Sequence, residues 1–350
     1  MNRTSKNLPN STILSHSNDL PAYSNPHLFE SNKWIELLRG EYKIDFFLIR
    51  QKNGKSFFYF AHLTYPNFEK IVSLPFCDYH IPELKNAEVL NELIGDLKKA
   101  FPDAKIQFKW VLPKNVTVDD VQYKISQSAY LHTVYTPDYK KVWDKMDSSF
   151  RGKVRQAKRY NLETEFCQDL DSVKEFYESY HQLRIQKFSK IPQSFPFFQN
   201  LWQHFIKNNA GFVLKINLDG QSIAFAICLE YKAKIYFKFS CSKKEYLDYR
   251  PNNLLLNKLF RYACKENFKA VDLGLSGIGK TYEGLVKFKE SMGGIPSPII
   301  SLEIIPDSYN LHTEKKLNDL TTEITEKIVT NNPPPAVTSD LSKALYPYFA

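Results

Sequence analysis

Apolar and polar positions along this chain follow two periods, and the switches between them lay out its elements. Between His27 and Arg39 apolar residues recur at helical spacing, with Leu28, Trp34 and Leu38 on or near one face. Two apolar runs follow, IDFFLIRQ and SFFYFAHLTY, joined by Lys52-Asn53-Gly54-Lys55; Asn-Gly between such runs predicts a hairpin. KIVSLPFCDYH reads as a strand ending in a turn, a helix covers about 86–100, and KIQFKWVL is another strand. This part therefore reads α-β-β-β-α-β.

The second half opens with a basic helix, SSFRGKVRQAKRYN, and helices over roughly 169–189 and 195–208. Three strands then run in series. GFVLKINL puts Phe212, Leu214, Ile216 and Leu218 on one face, and Asp219-Gly220 makes the turn. QSIAFAICLE alternates at Ile223, Phe225, Ile227 and Leu229. AKIYFKFSCS alternates Ile235, Phe237 and Phe239 against Tyr236, Lys238 and Ser240, so those last three are expected on one face. A helix runs from about Pro251 to Asn267, with proline in the first turn, where its missing N–H would be unpaired anyway. The strand KAVDLGL, a glycine-rich stretch, a strand near 297–304 and a polar helix over about 311–330 follow. Pro333-Pro334-Pro335 breaks the chain, and LSKALYPYF carries apolar anchors that suit docking. The order predicts an α/β chain with a mixed sheet, in four parts: a polar, Ser/Asn-rich and disordered segment at 1–25, a first domain at 26–140, a second and more complete domain at 141–306, and a helical tail at 307–350.

Length and composition agree with two domains: the chain has 350 residues and is 43% hydrophobic. The net charge of +9 suits an anionic partner such as CoA, tRNA, a nucleotide-sugar or a phospholipid surface, and selects none of them. The five cysteines have no C-x-x-C spacing and several lie in apolar runs, which predicts buried free thiols in a reducing compartment. The histidines show no metal-ligand spacing, so no metal is expected. The N-terminal residues lack an apolar signal core, and no stretch approaches the roughly 20 apolar residues of a membrane span. A cytoplasmic location is expected, with peripheral membrane contact left open and the oligomeric state not indicated.

Six of the 12 glycines fall between Gly274 and Gly294, ringed by Lys280, Lys287 and Lys289, which marks a place that handles an anion. Gly274 to Thr281 matches the phosphate-loop pattern G-x-x-x-x-G-K-[ST] letter for letter. Three features oppose an NTPase loop. Further glycines at Gly284 and Gly293-Gly294 interrupt the segment that would have to be helix, too few strands remain to complete the sheet, and the preceding strands are antiparallel hairpins.

The second half instead has the element order of the GNAT acyltransferase fold. There, the last strand of the meander splays from the next strand, and the helix between them offers its N-terminal N–H groups to the donor's phosphates. That helix end here is Tyr249-Arg250-Pro251-Asn252-Asn253. Several stretches deepen the likeness: HLFESNKWIELL near the start, SLPFCDYH (73–80), MDSSFRGKVRQAKRYNLE (146–163), VDLGLS (271–276) and GLVKFKESMGG (284–294). In that order they resemble the signatures of the FemAB-related and BioF2-like acyltransferases of the GNAT superfamily. The chain departs from them at Tyr79-His80, where a glycine is common.

The resemblance implies two tandem GNAT-like domains with one active site. It also implies transfer of an acetyl, acyl or aminoacyl group to an amine, with a small molecule or an envelope or exopolysaccharide precursor as acceptor. The donor would be acyl-CoA or aminoacyl-tRNA; no coiled-coil arm of the kind some tRNA users carry is present, which favours CoA. Lys289, at the family's F-K step, would hold a donor phosphate or stabilise the oxyanion. Asp272 would orient a loop amide or act as a base, and Tyr236 joins them as a catalytic candidate. Lys238, Ser240, Arg250, Asn252, Asn253 and Gly274 are candidates for donor binding; Lys238 could equally protect a sheet edge. Arg151, Arg155 and Arg159, at i, i+4 and i+8, form a stripe suited to a phosphorylated acceptor, tRNA or another anion. The alternative is a non-catalytic GNAT-like scaffold that binds an anionic partner through that stripe.

Overall fold

The computed structural model describes residues 6–15, 27–52, 57–82, 84, 86–112, 116 and 124–349. The expected Asn53-Gly54 turn lies outside them. Two compact units emerge: 1–129 with 298–322 and 346–350, and 130–297 with 323–345.

In the first unit the strands β1 (Lys6–Asn7) and β2 (Ser11–Ser15) replace the disorder expected for part of 1–25. Polarity there hides a partnership: Ser11 Oγ donates to Asp96 Oδ2 at 2.6 Å, and β2 pairs antiparallel with β3 (Asp45–Gln51). The helix expected from His27 begins later, as α1 (Asn32–Tyr42), because Ser31 caps it by accepting from the Trp34 N–H. β3, β4 (Phe57–Tyr65) and β5 (Phe68–Val72) form an antiparallel meander. Helix α2 (Ala87–Ala100) then crosses over to β6 (Lys105–Trp110), which pairs parallel with β5.

The unit boundary passes through β7 (Lys124–Tyr135), a strand the sequence pattern did not reveal. Two further elements went unread: α3 (Tyr139–Lys145), just before α4 (Ser148–Ala157), and β8 (Leu162–Cys167) after it. β8 is a mostly exposed edge strand, so its residues carry little apolar alternation. Helices α5 (Leu170–Phe188) and α6 (Phe195–His204) lead into a second antiparallel meander, β9 (Gly211–Leu218), β10 (Gln221–Tyr231) and β11 (Lys234–Ser242). Helix α7 (Pro251–Lys265) crosses over to β12 (Ala270–Gly277), parallel to β11. The second unit thus repeats the order of the first: antiparallel meander, helix, parallel strand.

After β12 come α8 (Glu283–Ser291), β13 (Ile295–Ile304), α9 (Leu311–Thr330) and α10 (Pro335–Leu345). β13 pairs antiparallel with β6 through residues of the first unit. The closing segment does dock: Tyr346 stacks on Tyr42 with ring centroids 5.7 Å apart. Among the described residues no helix is long and apolar enough to cross a membrane. All five cysteines are free thiols.

One core dominates the second unit. Leu255, Leu256, Leu259, Phe260 and Ala263 of α7 pack with Phe212, Leu214, Ala226 and Cys228 of the meander and with Val154 of α4. Burying each large side chain of this kind contributes roughly 1.5–3 kcal/mol. That packing fixes where α7 begins, and the candidate site depends on it.

Candidate active site

β11 and β12 are paired over only three residues, Lys234↔Ala270, Ile235↔Val271 and Tyr236↔Asp272. Beyond that point the two strands are no longer paired. Both strands are irregular there. On β11 the register to β10 slips between Phe237 and Phe239, so Lys238 is the extra residue of a β-bulge. The bulge corrects the expected grouping of Tyr236, Lys238 and Ser240. Tyr236 shares a face with Phe239, which packs on Phe197 and Phe198 of α6, whereas Ser240 shares a face with Phe237 on the α7 side. Lys238 places its ammonium 5.6 Å from the centre of the Phe239 ring.

On β12 the irregularity is Gly274, with φ at +69°, a conformation that costs other residues roughly 1–2 kcal/mol. Asp272 is buried and accepts the Gly274 N–H at 2.7 Å. Lys289, buried on α8, donates to the carbonyl oxygens of Gly274 at 3.1 Å and Leu275 at 2.8 Å. The two side chains thus hold the N–H and the carbonyl of Gly274. Close by in the electrostatic sense is His132 of β7, fully buried, with neither ring nitrogen hydrogen-bonded among the described residues. Burial, reinforced by the charge of Lys289, lowers its pKa to about 4. Sequence reasoning missed His132 because a lone histidine in a strand carries no spacing signal. Ser276 Oγ, also on β12, is buried and unpaired among the described residues.

The N-terminus of α7 faces a different balance from the other crossover helix. Asn86 caps α2 by accepting the Val89 N–H at 3.2 Å. No side chain caps α7. Its N-cap is Arg250, in the left-handed region at φ +58°, followed by Pro251. Arg250 Nε donates to Gln156 Oε1 of α4 at 3.2 Å, and its Nη1 lies 3.9 Å from Asp248 Oδ1. Asn252 Nδ2 donates to Ser242 Oγ at 3.1 Å, and Ser242 lies two residues from Ser240 on the same face. Asn253 is buried, with its Nδ2 unpaired among the described residues. The structure therefore gathers Arg250, Asn252 and Asn253 at one helix end, with Ser242 bonded to it, and Asp272 and Lys289 around Gly274. Unpaired N–H groups and the helix dipole at such an end favour an anion.

The arginine stripe is shorter than its spacing suggested. Arg151 and Arg155 lie on α4, but that helix ends at Ala157, so Arg159 belongs to the following turn. Arg155 stacks over Trp143, 5.9 Å from the ring centre. Arg151 is half-buried, and its Nε is unpaired among the described residues.

The phosphate-loop reading fails on geometry. Gly274 to Gly277, half of the eight-residue pattern, are strand residues, and α8 begins only at Glu283. The pattern forms no loop that opens a helix, and Lys280 is exposed.

Residues 145–283 match the family model described as Acetyltransferase (GNAT) domain. This is a FemAB-like GNAT fold. The crystal structure of FemX superposes with a TM-score of 0.65 at 14% identity, over 81% of this chain and 93% of that one. The C-terminal DUF2156 domain of a provisionally assigned lysylphosphatidylglycerol synthetase from Agrobacterium fabrum gives 0.55 at 12% identity, over 81% of this chain and 90% of that one. No curated protein sequence matches. The segment matched by the GNAT model contains β11, α7 and β12, and with them the end of the strand pairing and the start of α7.

Proposed function

We propose that the chain is an N-acyltransferase that binds its donor in the opening between β11 and β12, with the donor's phosphates at the first turn of α7. The observation that carries this reading is the loss of β11–β12 pairing after Tyr236↔Asp272, beside a helix start that has no capping side chain. Arg250, Asn252 and the α7 N–H groups would hold an acyl-CoA through its phosphates; the 3′-terminal phosphates of an aminoacyl-tRNA present the same chemistry. The element order and the GNAT match support acyl transfer as the reaction class.

Transfer forms a C–N bond between the acceptor amine and the acyl carbon, breaks the bond from that carbon to the donor's sulfur or oxygen, and delivers the amine proton to the leaving group. A strand amide beside the pairing break, donating a hydrogen bond to the oxyanion, would supply roughly 3–4 kcal/mol. Holding the reactants in place would supply roughly 7–11 kcal/mol. In this reading Asp272 and Lys289 set the backbone shape of β12 at Gly274, and Tyr236 forms the closed end of the opening. Arg151 and Arg155 remain available for the acceptor's negative charge, which suits a phosphorylated envelope or exopolysaccharide precursor.

Thermal stability measured against acetyl-CoA, longer acyl-CoAs and an aminoacyl-tRNA tests the reading. A bound donor raises the melting temperature in proportion to the logarithm of its concentration. Failure of every donor to do so, with salt-sensitive binding of a polyanion through Arg151 and Arg155, would favour the scaffold reading instead.

A further inference from the structure

The C-terminal half of α7 carries a second basic site, separate from the donor opening. Lys258, Arg261 and Lys265 line an open depression of about 820 Å³ with Asp138, Tyr139, Phe166 and Tyr262. That volume is in the roughly 300–1,000 Å³ range of ligand pockets. Arg261 is nine residues beyond Asn252 on α7, which places it about 14 Å along the helix axis from the donor end.

The aromatic walls are held from behind. Tyr139 Oη accepts from Asn257 Nδ2 at 2.6 Å, and Tyr262 Oη donates to Glu230 at 2.7 Å. The Arg261 guanidinium lies 4.8 Å from the centre of the Tyr139 ring. Phe166 packs on Tyr262 at 5.0 Å between ring centres and still leaves 43% of its surface to solvent. An exposed ring on an edge strand, braced by a second ring whose hydroxyl is already bonded, makes a stacking platform.

The charges are equally one-sided. Lys158 stands close enough to Arg261 and Lys258 that these cations, after burial, lower its pKa. The nearby acids each have a partner, Asp138 and Glu266 within or beside the depression itself. Asp138 caps α3 and pairs with Lys141 at 3.1 Å, Glu266 pairs with Lys265 at 3.2 Å, and Glu230 holds Tyr262. Lys158, Lys258 and Arg261 therefore repel one another, an arrangement that an external anion would relieve.

We propose that this depression binds a nucleoside phosphate, its phosphates on Lys158, Lys258 and Arg261 and its base against Phe166 and Tyr262. Planar rings beside clustered cations suit a base joined to a phosphate; a lipid would need more than one exposed apolar side chain. The same chemistry is offered by a free nucleotide and by a nucleotide within a single strand. The inference does not depend on acyl transfer.

Calorimetric titration of the full chain with ADP, inorganic pyrophosphate and a short oligo(dA) tests it, in the native protein and in Arg261→Glu, Lys258→Glu and Ser240→Trp. Arg261 is exposed, so its replacement leaves the fold intact by circular dichroism. ADP is expected to bind, to bind more tightly than pyrophosphate, to lose ~10-fold or more in affinity in Arg261→Glu and Lys258→Glu, and to be unaffected by Ser240→Trp, which fills the donor opening. Tighter binding of oligo(dA) than of ADP, lost in the same two charge variants, assigns the site to a strand; equal or weaker binding assigns it to the free nucleotide. No binding of either, pyrophosphate binding as tightly as ADP, or ADP binding lost in Ser240→Trp and retained in Arg261→Glu would overturn the proposal. That last result would place ADP in the donor opening and leave the acyltransferase reading standing.

Discussion

Lys289 donates from its buried ammonium to the carbonyl oxygen of Gly274 at 3.1 Å, across the fourteen residues that separate them, and so pins the one left-handed residue of β12, whose N–H Asp272 accepts. A lysine held this way acts first on the backbone. Lys289→Met should therefore lower stability by roughly 1.5–3 kcal/mol, the range for hydrogen bonds to a charged group. Urea unfolding would read this as a lower midpoint at constant slope. A lysine that served chemistry alone would leave the midpoint where it was.

Gly294 gives an independent handle on the same clasp. A Cβ at this position would lie 2.5 Å from the Lys289 carbonyl oxygen, a backbone atom that cannot swing aside. Gly294→Ala is expected to cost about 1–3 kcal/mol and to reduce donor binding together with stability. A stable Gly294→Ala protein with native affinity would show that the α8 turn is not tied to the site.

Much of this site could be read from the sequence because its parts are local. Pro251 at the first turn of α7, the Asp-x-Gly at the end of the β12 pattern and the glycines around α8 announce themselves by residue type. Other parts could not be. The Lys238 bulge changes which side chains share a face, and period-two reasoning assumes that no such slip occurs. His132 reaches its setting through β7, a strand whose first half is too polar to betray burial. Arg159 illustrates the reverse error, since i, i+8 spacing means one stripe only while the helix lasts, and α4 stops two residues short. The meander, the crossover helices and the tail helix were legible, because long apolar periodicity survives any local irregularity.

Acid should weaken the fold through its buried histidines. Burial, with the Lys289 charge second, lowers the pKa of His132 to about 4; burial, with His27 second, lowers that of His80 to about 3. Unfolded histidine titrates near 6.5, so below that pH the unfolded chain binds protons that the native chain refuses. The stabilising effect is complete above about 6.5 and is lost as pH falls toward 4 for His132 and toward 3 for His80. His132→Leu removes one such group and two unpaired ring nitrogens. Melting temperatures between pH 4 and 7 should fall less steeply in this variant; parallel curves would contradict the account.

Arg250 combines strain with charge. Its left-handed backbone favours glycine, so Arg250→Gly should keep stability within about 1 kcal/mol even though the bond to Gln156 is lost. Donor affinity should nevertheless fall by ~10-fold or more, and by less at high salt. Equal losses of stability and affinity would mean that Arg250 only holds α7 to α4.

The most direct test of the account is a calorimetric titration of acetyl-CoA and an aminoacyl-tRNA into the native protein and into Ser240→Trp, whose indole would occupy the opening between β11 and β12 from the α7 side. The account predicts saturable binding of at least one donor to the native protein, weakened ~10-fold or more by Ser240→Trp without loss of fold, and no binding of Mg-ATP dependent on Lys280. Undiminished donor binding in Ser240→Trp, or Mg-ATP binding abolished by Lys280→Ala, would contradict it.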